Sequence, residues 1–466
     1  MSNTMKSMND FYEWLNSFIN FEKKPHSKAF CLDVIRYYAV MFANPQTAYK
    51  TAHIAGSKGK GSVAAMLSAL LTASGKKTGL YTSPHVNDFR ERITQNGSFF
   101  SDEAYLKAFR TVQQQVLPYI GRPEFPQPSW FELVTLTAFV LFQQEQLDWA
   151  VFETGMGGRL DATNIVQPAV VLLTPIELEH CEYLGNTIEL IATEKAGIIK
   201  AGIPVFCAQQ KEEALTVFKK RAAELDAPFF YLPDCITSLH HHLTTQGCEI
   251  TITFAAQHPA GQLFERPIHT VLPLFTPVQA ENAALAAAAF RYCCPEISED
   301  IIERALAQAW LPARFQLLCT KPLIVIDGAH TRNSIQTCTD TFFQLTGILD
   351  TPLELPKSIL VFACAADKNP DLFAPFFLGK VSDIYLTVPG HFKKGNLSKI
   401  AEAFTCVFSR EPTVRIEADE DFNTVLQYAF RKSFAESRPL LITGSFYLAA
   451  EAQRIYSAGD FQGRET

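Results

Sequence analysis

The stretch that decides the fold is Gly56-Ser57-Lys58-Gly59-Lys60-Gly61-Ser62. It is preceded by the apolar run Thr51 to Ala55 and followed by Val63, Met66, Leu67, Leu70 and Leu71 on one helical face. A strand that feeds a glycine-rich turn and then a helix aims backbone N–H groups and the positive end of the helix dipole at an anion. Lys60 adds a mobile positive charge, and Ser62 a hydroxyl able to meet magnesium. The expected ligand is therefore ATP or GTP. The spacing departs from the common G-x-x-x-x-G-K-[ST] loop, because the first glycine is too close and Gly61 separates Lys60 from Ser62. A glycine-rich turn that binds nothing is the plainer alternative.

Outward from this loop, short β-rich runs alternate with helical patterns. Lys77 to Thr82, Trp149 to Thr154, Val170 to Pro175 and Pro204 to Ala208 read as buried strands of a parallel, helix-covered sheet. Pro123, Pro126 and Pro128 predict an extended loop leading into a helix near Phe131. Between Cys235 and Phe275 the alternation predicts a small antiparallel addition. Helical patterns over Val278 to Tyr292 and Ser298 to Trp310 precede Leu311-Pro312-Ala313-Arg314, where a hinge is placed. Beyond it, Pro322 to Ile326, Ser358 to Ala363, Asp383 to Val388 and Leu440 to Thr443 predict a second set of strands. The expected fold is α/β: a P-loop-containing parallel-sheet ATPase domain over 1–310, followed by a smaller Rossmann-like α/β domain over 311–466.

With 466 residues, two hydrophobic cores are expected. A net charge of −7 without clustered Lys and Arg argues against a nucleic-acid surface. No apolar run reaches membrane-spanning length, and Met1 to Trp14 is polar with mixed charge, so a cytoplasmic protein with no membrane partner is expected. The eleven cysteines include no C-x-x-C pair, which suggests neither a zinc site nor a disulfide framework. His240-His241-His242 could bind metal, but an exposed hairpin is the more ordinary reading.

Open parallel sheets bind ligands at their strand ends, and the polar residues gather there. Glu153 ends one strand ahead of Gly155-Met156-Gly157-Gly158-Arg159-Leu160-Asp161-Ala162-Thr163-Asn164, and His180 follows the next inside Glu177-Leu178-Glu179-His180. A carboxylate and an imidazole at neighbouring strand ends beside a phosphate loop point to a metal near the γ-phosphate.

At this point the chain resembles the folylpolyglutamate synthase and dihydrofolate synthase family, related to the Mur peptide ligases. The family's loop is similar to H-V-A-G-T-N-G-K-G-S, which His53 to Ser62 matches, with the extra glycine that sets it apart from the Mur loop. Tyr81-Thr82-Ser83-Pro84-His85, Gly157 to Asn164, Glu194-Lys195-Ala196-Gly197-Ile198, Leu311 to Phe315, Asp327-Gly328-Ala329-His330 and Thr443-Gly444-Ser445-Phe446 follow in the family's order. The resemblance implies an ATP-dependent amide ligase that joins L-glutamate to a folate or dihydropteroate carboxylate through an acyl phosphate. An anionic acceptor must then approach an anionic triphosphate, so cations must offset the repulsion. By the resemblance, Ser57, Lys58, Gly59, Lys60, Gly61 and Ser62 cradle the phosphates, with Asn282, Arg314 and Asp327 as further nucleotide contacts. Ser83, Glu153 and His180 hold magnesium, joined by Lys195 as a carbon dioxide carbamate, and a monovalent cation is a further expected ion. An unmodified Lys195 paired with Glu194 or another carboxylate is the alternative. Lys60, Lys195 and His330 are the expected catalytic groups, His330 in the glutamate half-reaction. Trp130-Phe131-Glu132 and Leu160-Asp161-Ala162 are the expected pterin-binding segments, an aromatic platform facing a polar loop, although Phe131 could equally be a core residue.

Two positions depart from the family pattern. Lys58 replaces its asparagine, and Thr331-Arg332 replace the Asn-Pro that follows its D-x-A-H box. A Mur-type ligase of cell-wall precursors would need an extra domain ahead of the loop, where about fifty residues stand. A nucleotide-binding regulator without catalysis would not need Glu153, His180, Lys195, Arg314, Asp327 and His330 together. A monomer is expected.

Overall fold

The computed structural model describes residues 7–20, 31–86, 88–95, 97–349, 358–391, 394–459 and 461. The first sheet contains β1 (Lys50–Ala55), β2 (Thr78–Tyr81), β3 (Ile93–Gln95), β4 (Trp149–Glu153), β5 (Val170–Leu173), β6 (Val205–Cys207) and β7 (Phe229–Tyr231). Their order is β3-β2-β4-β1-β5-β6-β7, parallel except for the β2–β3 pair. Strands covered on both sides need apolar residues on both faces, and β2, β4, β5 and β6 are buried throughout. Ala52, Ile54 and Leu172 on one face join the core under helix Lys60–Ala73 and the alanine-rich helix Val278–Cys293. Tyr81, Ala150 and Phe152 on the other pack under helices Asp102–Val116 and Trp130–Gln144.

β1 sits at the centre between β4 and β5. The phosphate loop therefore leaves its end with Glu153 on one side and the loop after β5 on the other. This is the crevice at carboxyl strand ends where open α/β sheets take their ligands.

The alternating region forms a three-stranded antiparallel sheet of β8 (Ile236–Thr244), β9 (Gly247–Phe254) and β10 (Ile268–Leu272). His240, His241 and His242 lie exposed on β8, as the hairpin reading expects.

The third sheet contains β11 (Gln316–Thr320), β12 (Leu323–Ile326), β13 (Ser358–Phe362), β14 (Val381–Leu386), β15 (Arg415–Ala418) and β16 (Leu440–Thr443), in the order β11-β12-β16-β13-β14-β15. Helices cover both of its faces. Four of the strands follow the sequence reading. β3, β7, β11 and β15 do not, since each is a short edge or next-to-edge strand whose pairing supplies what its own pattern lacks. The helix expected over Ser298 to Trp310 is shorter, Glu299–Leu306, because Ala307 closes it ahead of the turn at Leu311.

Candidate active site

The phosphate loop keeps its shape because two of its glycines occupy backbone space closed to other residues. Gly56 has φ +153°, and a Cβ there would run into Thr174. Gly59 has φ +86° and faces Asn282, whose Oδ1 would stand 2.6 Å from a Cβ. Gly61 is the second residue of the helix, and a Cβ on it would lie 3.5 Å from Glu153 Oε2 and 3.3 Å from Leu311. The additional glycine thus brings the loop close to the carboxylate.

The structure revises the cradle. The N–H groups of Ser57 and Lys58 donate to the Pro175 carbonyl at 2.9 and 3.2 Å, and the Ser57 hydroxyl donates to the Glu177 carbonyl at 3.0 Å. These amides are committed to the loop after β5, so the anion-facing donors come from the helix start, Lys60 to Ser62, whose first-turn amides lack intrahelical partners. Lys60 Nζ donates to the Gly56 carbonyl at 3.0 Å.

Charged groups converge on Lys60. Glu153 is 5% exposed, and its Oε2 accepts the Ser83 N–H at 3.1 Å. Burial pushes its pKa up, opposed by Lys60, the Ser83 amide, Arg314 and Arg92. Lys195, 1% exposed, donates from Nζ to the Gly56 carbonyl at 2.7 Å and to Glu179 Oε1 at 3.0 Å. Burial and the neighbouring Lys60 bring its pKa down to about 8, against the pull of Glu179. Glu179 is itself held at about 2: burial pushes it up, but Lys60, Lys195 and Lys58 outweigh it. The carboxylate beside Lys195 is therefore Glu179, while Glu194 pairs with Arg159 at 2.8 Å. Glu179 is a site residue that sequence reasoning passed over; the signal was its place one residue before His180.

His180 sits exposed in the left-handed region, φ 48°, at the start of a one-turn helix. Among the described residues no three His, Cys, Asp or Glu side chains converge on one point. The expected magnesium set does not need three, since two of its four donors are the Ser83 hydroxyl and a carbamate oxygen. Glu153 fits a cation: it is a buried carboxylate whose Oε1 has no hydrogen-bond donor among the described residues.

From the third sheet, Asp327 accepts the N–H of Phe315 at 2.6 Å and of Ala329 at 2.7 Å. Burial raises its pKa, and those two amides and Arg314 oppose the rise. It fixes the turn in which Ala313 and Phe315 have positive φ, with Arg314 between them, its guanidinium 4.5 Å from the Phe446 ring. His330 donates from Nδ1 to the Gly328 carbonyl at 2.8 Å, which leaves Nε2 as the acceptor of the neutral ring. Burial, then Lys58, lowers its pKa to about 4. In place of the Asn-Pro of the family pattern, the Ser334 hydroxyl accepts the N–H groups of His330 and Thr331 at 3.2 and 3.0 Å.

The expected pterin platform narrows. Trp130 is 1% exposed in the core, with the Arg92 guanidinium 4.7 Å from its ring. Glu132 accepts the Ser129 N–H and hydroxyl in a capping box, so its carboxylate serves the helix start. Asp161 is likewise committed, accepting from Gly155, Met156 and Thr163. Phe131, packed on Gly155, and the half-buried Leu160 retain partly exposed surface, while Ala162 is buried.

The Mur ligase middle domain model matches residues 54–290. A dihydrofolate synthase/folylpolyglutamate synthase of Bacillus subtilis is 33% identical over 72% of this chain and 76% of its own length. The chain belongs to the folylpolyglutamate synthase/dihydrofolate synthase family of Mur ligases. A folylpolyglutamate synthase of Lacticaseibacillus casei is 29% identical over 89% of this chain and 92% of its own. Among solved structures, the Mycobacterium tuberculosis folylpolyglutamate synthase complexed with ADP and AMPPCP superposes with a TM-score of 0.83 at 25% identity, covering 96% of this chain and 98% of that one. An FPGS–AMPPCP–folate complex superposes with a TM-score of 0.76 at 27% identity, covering 97% and 100%. Folylpolyglutamate synthase family members are ATP-dependent, amide-bond-forming ligases, and this chain is one of them.

Proposed function

We propose that this enzyme ligates L-glutamate to the carboxylate of both dihydropteroate and reduced folates. The observation that carries the reading is the convergence of Lys60, Glu153, Glu179 and Lys195 at the end of the central strand, in a chain of this family. The acceptor carboxylate attacks the γ-phosphate, breaking its bond to ADP, which leaves, and forming an acyl phosphate, while the amides of Lys60 to Ser62 and the Lys60 ammonium offset the repulsion between the two anions. Ser83, Glu153, His180 and a Lys195 carbamate would hold magnesium, which would supply Lewis-acid stabilisation of the phosphoryl oxygens. Carbamate formation needs a neutral amine, and the lowered pKa of Lys195 favours it. A monovalent cation would be a further ion bound near Glu153 and a Lys195 carbamate. The glutamate amine then displaces phosphate, and His330, whose Nε2 is the ring's free acceptor, is the proposed recipient of the amine proton. Asn282 and Arg314 contact the nucleotide, and Asp327 acts by holding the Arg314 turn.

The proposed division is an ATP-binding domain over 1–310 and a glutamate ligase domain over 311–466, working as a cytoplasmic monomer. Among the described residues no helix is long and apolar enough to cross a membrane. Dihydropteroate carries its carboxylate on the aminobenzoyl ring, whereas a folate carries it one glutamate further out, so the pterin must seat at two depths or in two pockets. The test is ATP-dependent incorporation of labelled glutamate with dihydropteroate alone and with tetrahydrofolate alone. Product from both is expected. Product from only one reduces the enzyme to a single activity, and product from neither rejects the reading.

A further inference from the structure

His53 is 0% exposed on β1, three residues before the phosphate loop begins. Its Nε2 lies 2.8 Å from the Thr163 hydroxyl, and that hydroxyl gives its single proton to Asp161 Oδ1 at 2.5 Å. Thr163 must then accept from His53, which sets the tautomer as Nε2–H and leaves Nδ1 a bare lone pair. Nδ1 is buried and has no partner among the described residues. An apolar side chain would avoid that desolvated acceptor, so local packing alone does not account for a histidine here.

The bond from His53 leads to the active site. Asp161 Oδ2 accepts the N–H groups of Gly155 and Met156 at 2.9 and 3.0 Å, in the turn that follows Glu153. The other end of the same loop is held against the helix carrying Lys195. Arg159 N–H donates to the Glu194 carbonyl at 2.7 Å, and Asn164 Nδ2 to the Gly197 carbonyl at 3.1 Å. Gly158 packs so closely on Lys195 that a Cβ would stand 3.0 Å from its Cα. One loop therefore ties together two of the four residues proposed for the cation, Glu153 and Lys195, and His53 anchors it to the strand that feeds the phosphates.

We propose that His53 is a positioning residue: through Thr163 and Asp161 it sets the Gly155–Met156 turn, and so holds Glu153 and Lys195 in register with the phosphate loop. The proposal rests on the reading of this crevice as a magnesium–ATP site. It assigns the Asp161 carboxylate to the scaffold, because its hydrogen bonds all go to the chain itself.

The test compares the full-length protein with His53→Leu, which removes the donor, and His53→Gln, which keeps one. Calorimetry measures binding of a non-hydrolysable ATP analogue with and without magnesium; melting temperature, kcat and KM are recorded alongside. His53→Leu is expected to melt cooperatively within a few degrees of wild type. Its magnesium-dependent tightening of analogue binding should fall at least about tenfold, with kcat lowered and the folate KM within about twofold. His53→Gln should recover most of both. Wild-type magnesium dependence in His53→Leu, or equal impairment in His53→Gln, overturns the proposal, as does loss of melting temperature and all binding together. Should His53→Leu fail to fold, Thr163→Val breaks the same chain and is judged by the same criteria. A wild-type protein indifferent to the analogue removes the nucleotide reading and this proposal with it, whereas unaffected variants remove this proposal alone.

Discussion

Lys60 is the residue on which the site's electrostatics turn, because it acts on Glu153, Glu179, His180 and Lys195 at once. Among the described residues its ammonium hydrogen-bonds only a backbone carbonyl, at 3.0 Å, so it can move onto a phosphoryl oxygen without breaking a salt bridge. Lys60→Ala should lower kcat on the order of a hundredfold at saturating ATP, the scale of one lost transition-state charge. A fall of less than about tenfold in a folded variant would reject the phosphate assignment. Two histidines predict a pH dependence. His53 and His330 have pKa values lowered to about 3 and about 4, below the ordinary 6.5, mainly by burial. As pH falls below about 6.5 the unfolded chain takes up protons first, so stability is lost progressively toward pH 4, and more steeply with both rings than with one. The slope is at most roughly 1.4 kcal/mol per pH unit per ring. Urea unfolding of wild type and His330→Asn between pH 7 and 5 should show the shallower slope in the variant; equal slopes would mean His330 does not contribute.

At the scale of elements, the loop and its flanking strands form one unit. Gly59 joins β1 to its helix with φ +86° against Asn282. Gly59→Ala should cost on the order of 1–2 kcal/mol of stability from the left-handed backbone alone. It should also weaken ATP binding by displacing Asn282. Thermal melting and nucleotide titration separate the two effects, and unchanged nucleotide affinity would remove Asn282 from the site. The helix Trp130–Gln144 shows the opposite case. Residues that suggest a binding platform in one dimension are taken up by its capping box and its core, which a short motif does not disclose.

Across the whole molecule, the helix Arg332–Leu349 that follows β12 meets the loop after β5 at Asn333, whose Nδ2 donates to Glu177 Oε1 at 3.1 Å. The same Glu177 accepts the Ser57 hydroxyl through its carbonyl, so docking of the third sheet's first helix bears on the phosphate loop. Such a bond is worth about 1 kcal/mol, or roughly fivefold in a closure equilibrium. Asn333→Ala and Glu177→Ala should each lower kcat by about that factor, and their combination by little more than either alone. Additive losses in the double-mutant cycle would deny the coupling.

The alternation of apolar runs and helical patterns determined the α/β class, the places of the main strands along the chain and the change of sheet after Leu311, because buried parallel strands and their crossover helices write their periods into the chain. The glycine loop and the spaced polar motifs likewise singled out Lys60, Glu153 and Lys195, which the fold brings together at the end of β1, as candidates for the chemistry. Edge strands such as β3 and β15 were not legible, since pairing with a neighbour decides them. Nor were the partners: that Lys195 meets Glu179 and not Glu194, that Ser57 and Lys58 spend their amides on Pro175, and that His53 reaches Asp161 through Thr163. These choices depend on which strand ends lie side by side, and the order β4-β1-β5 settles that only when the sheet is assembled.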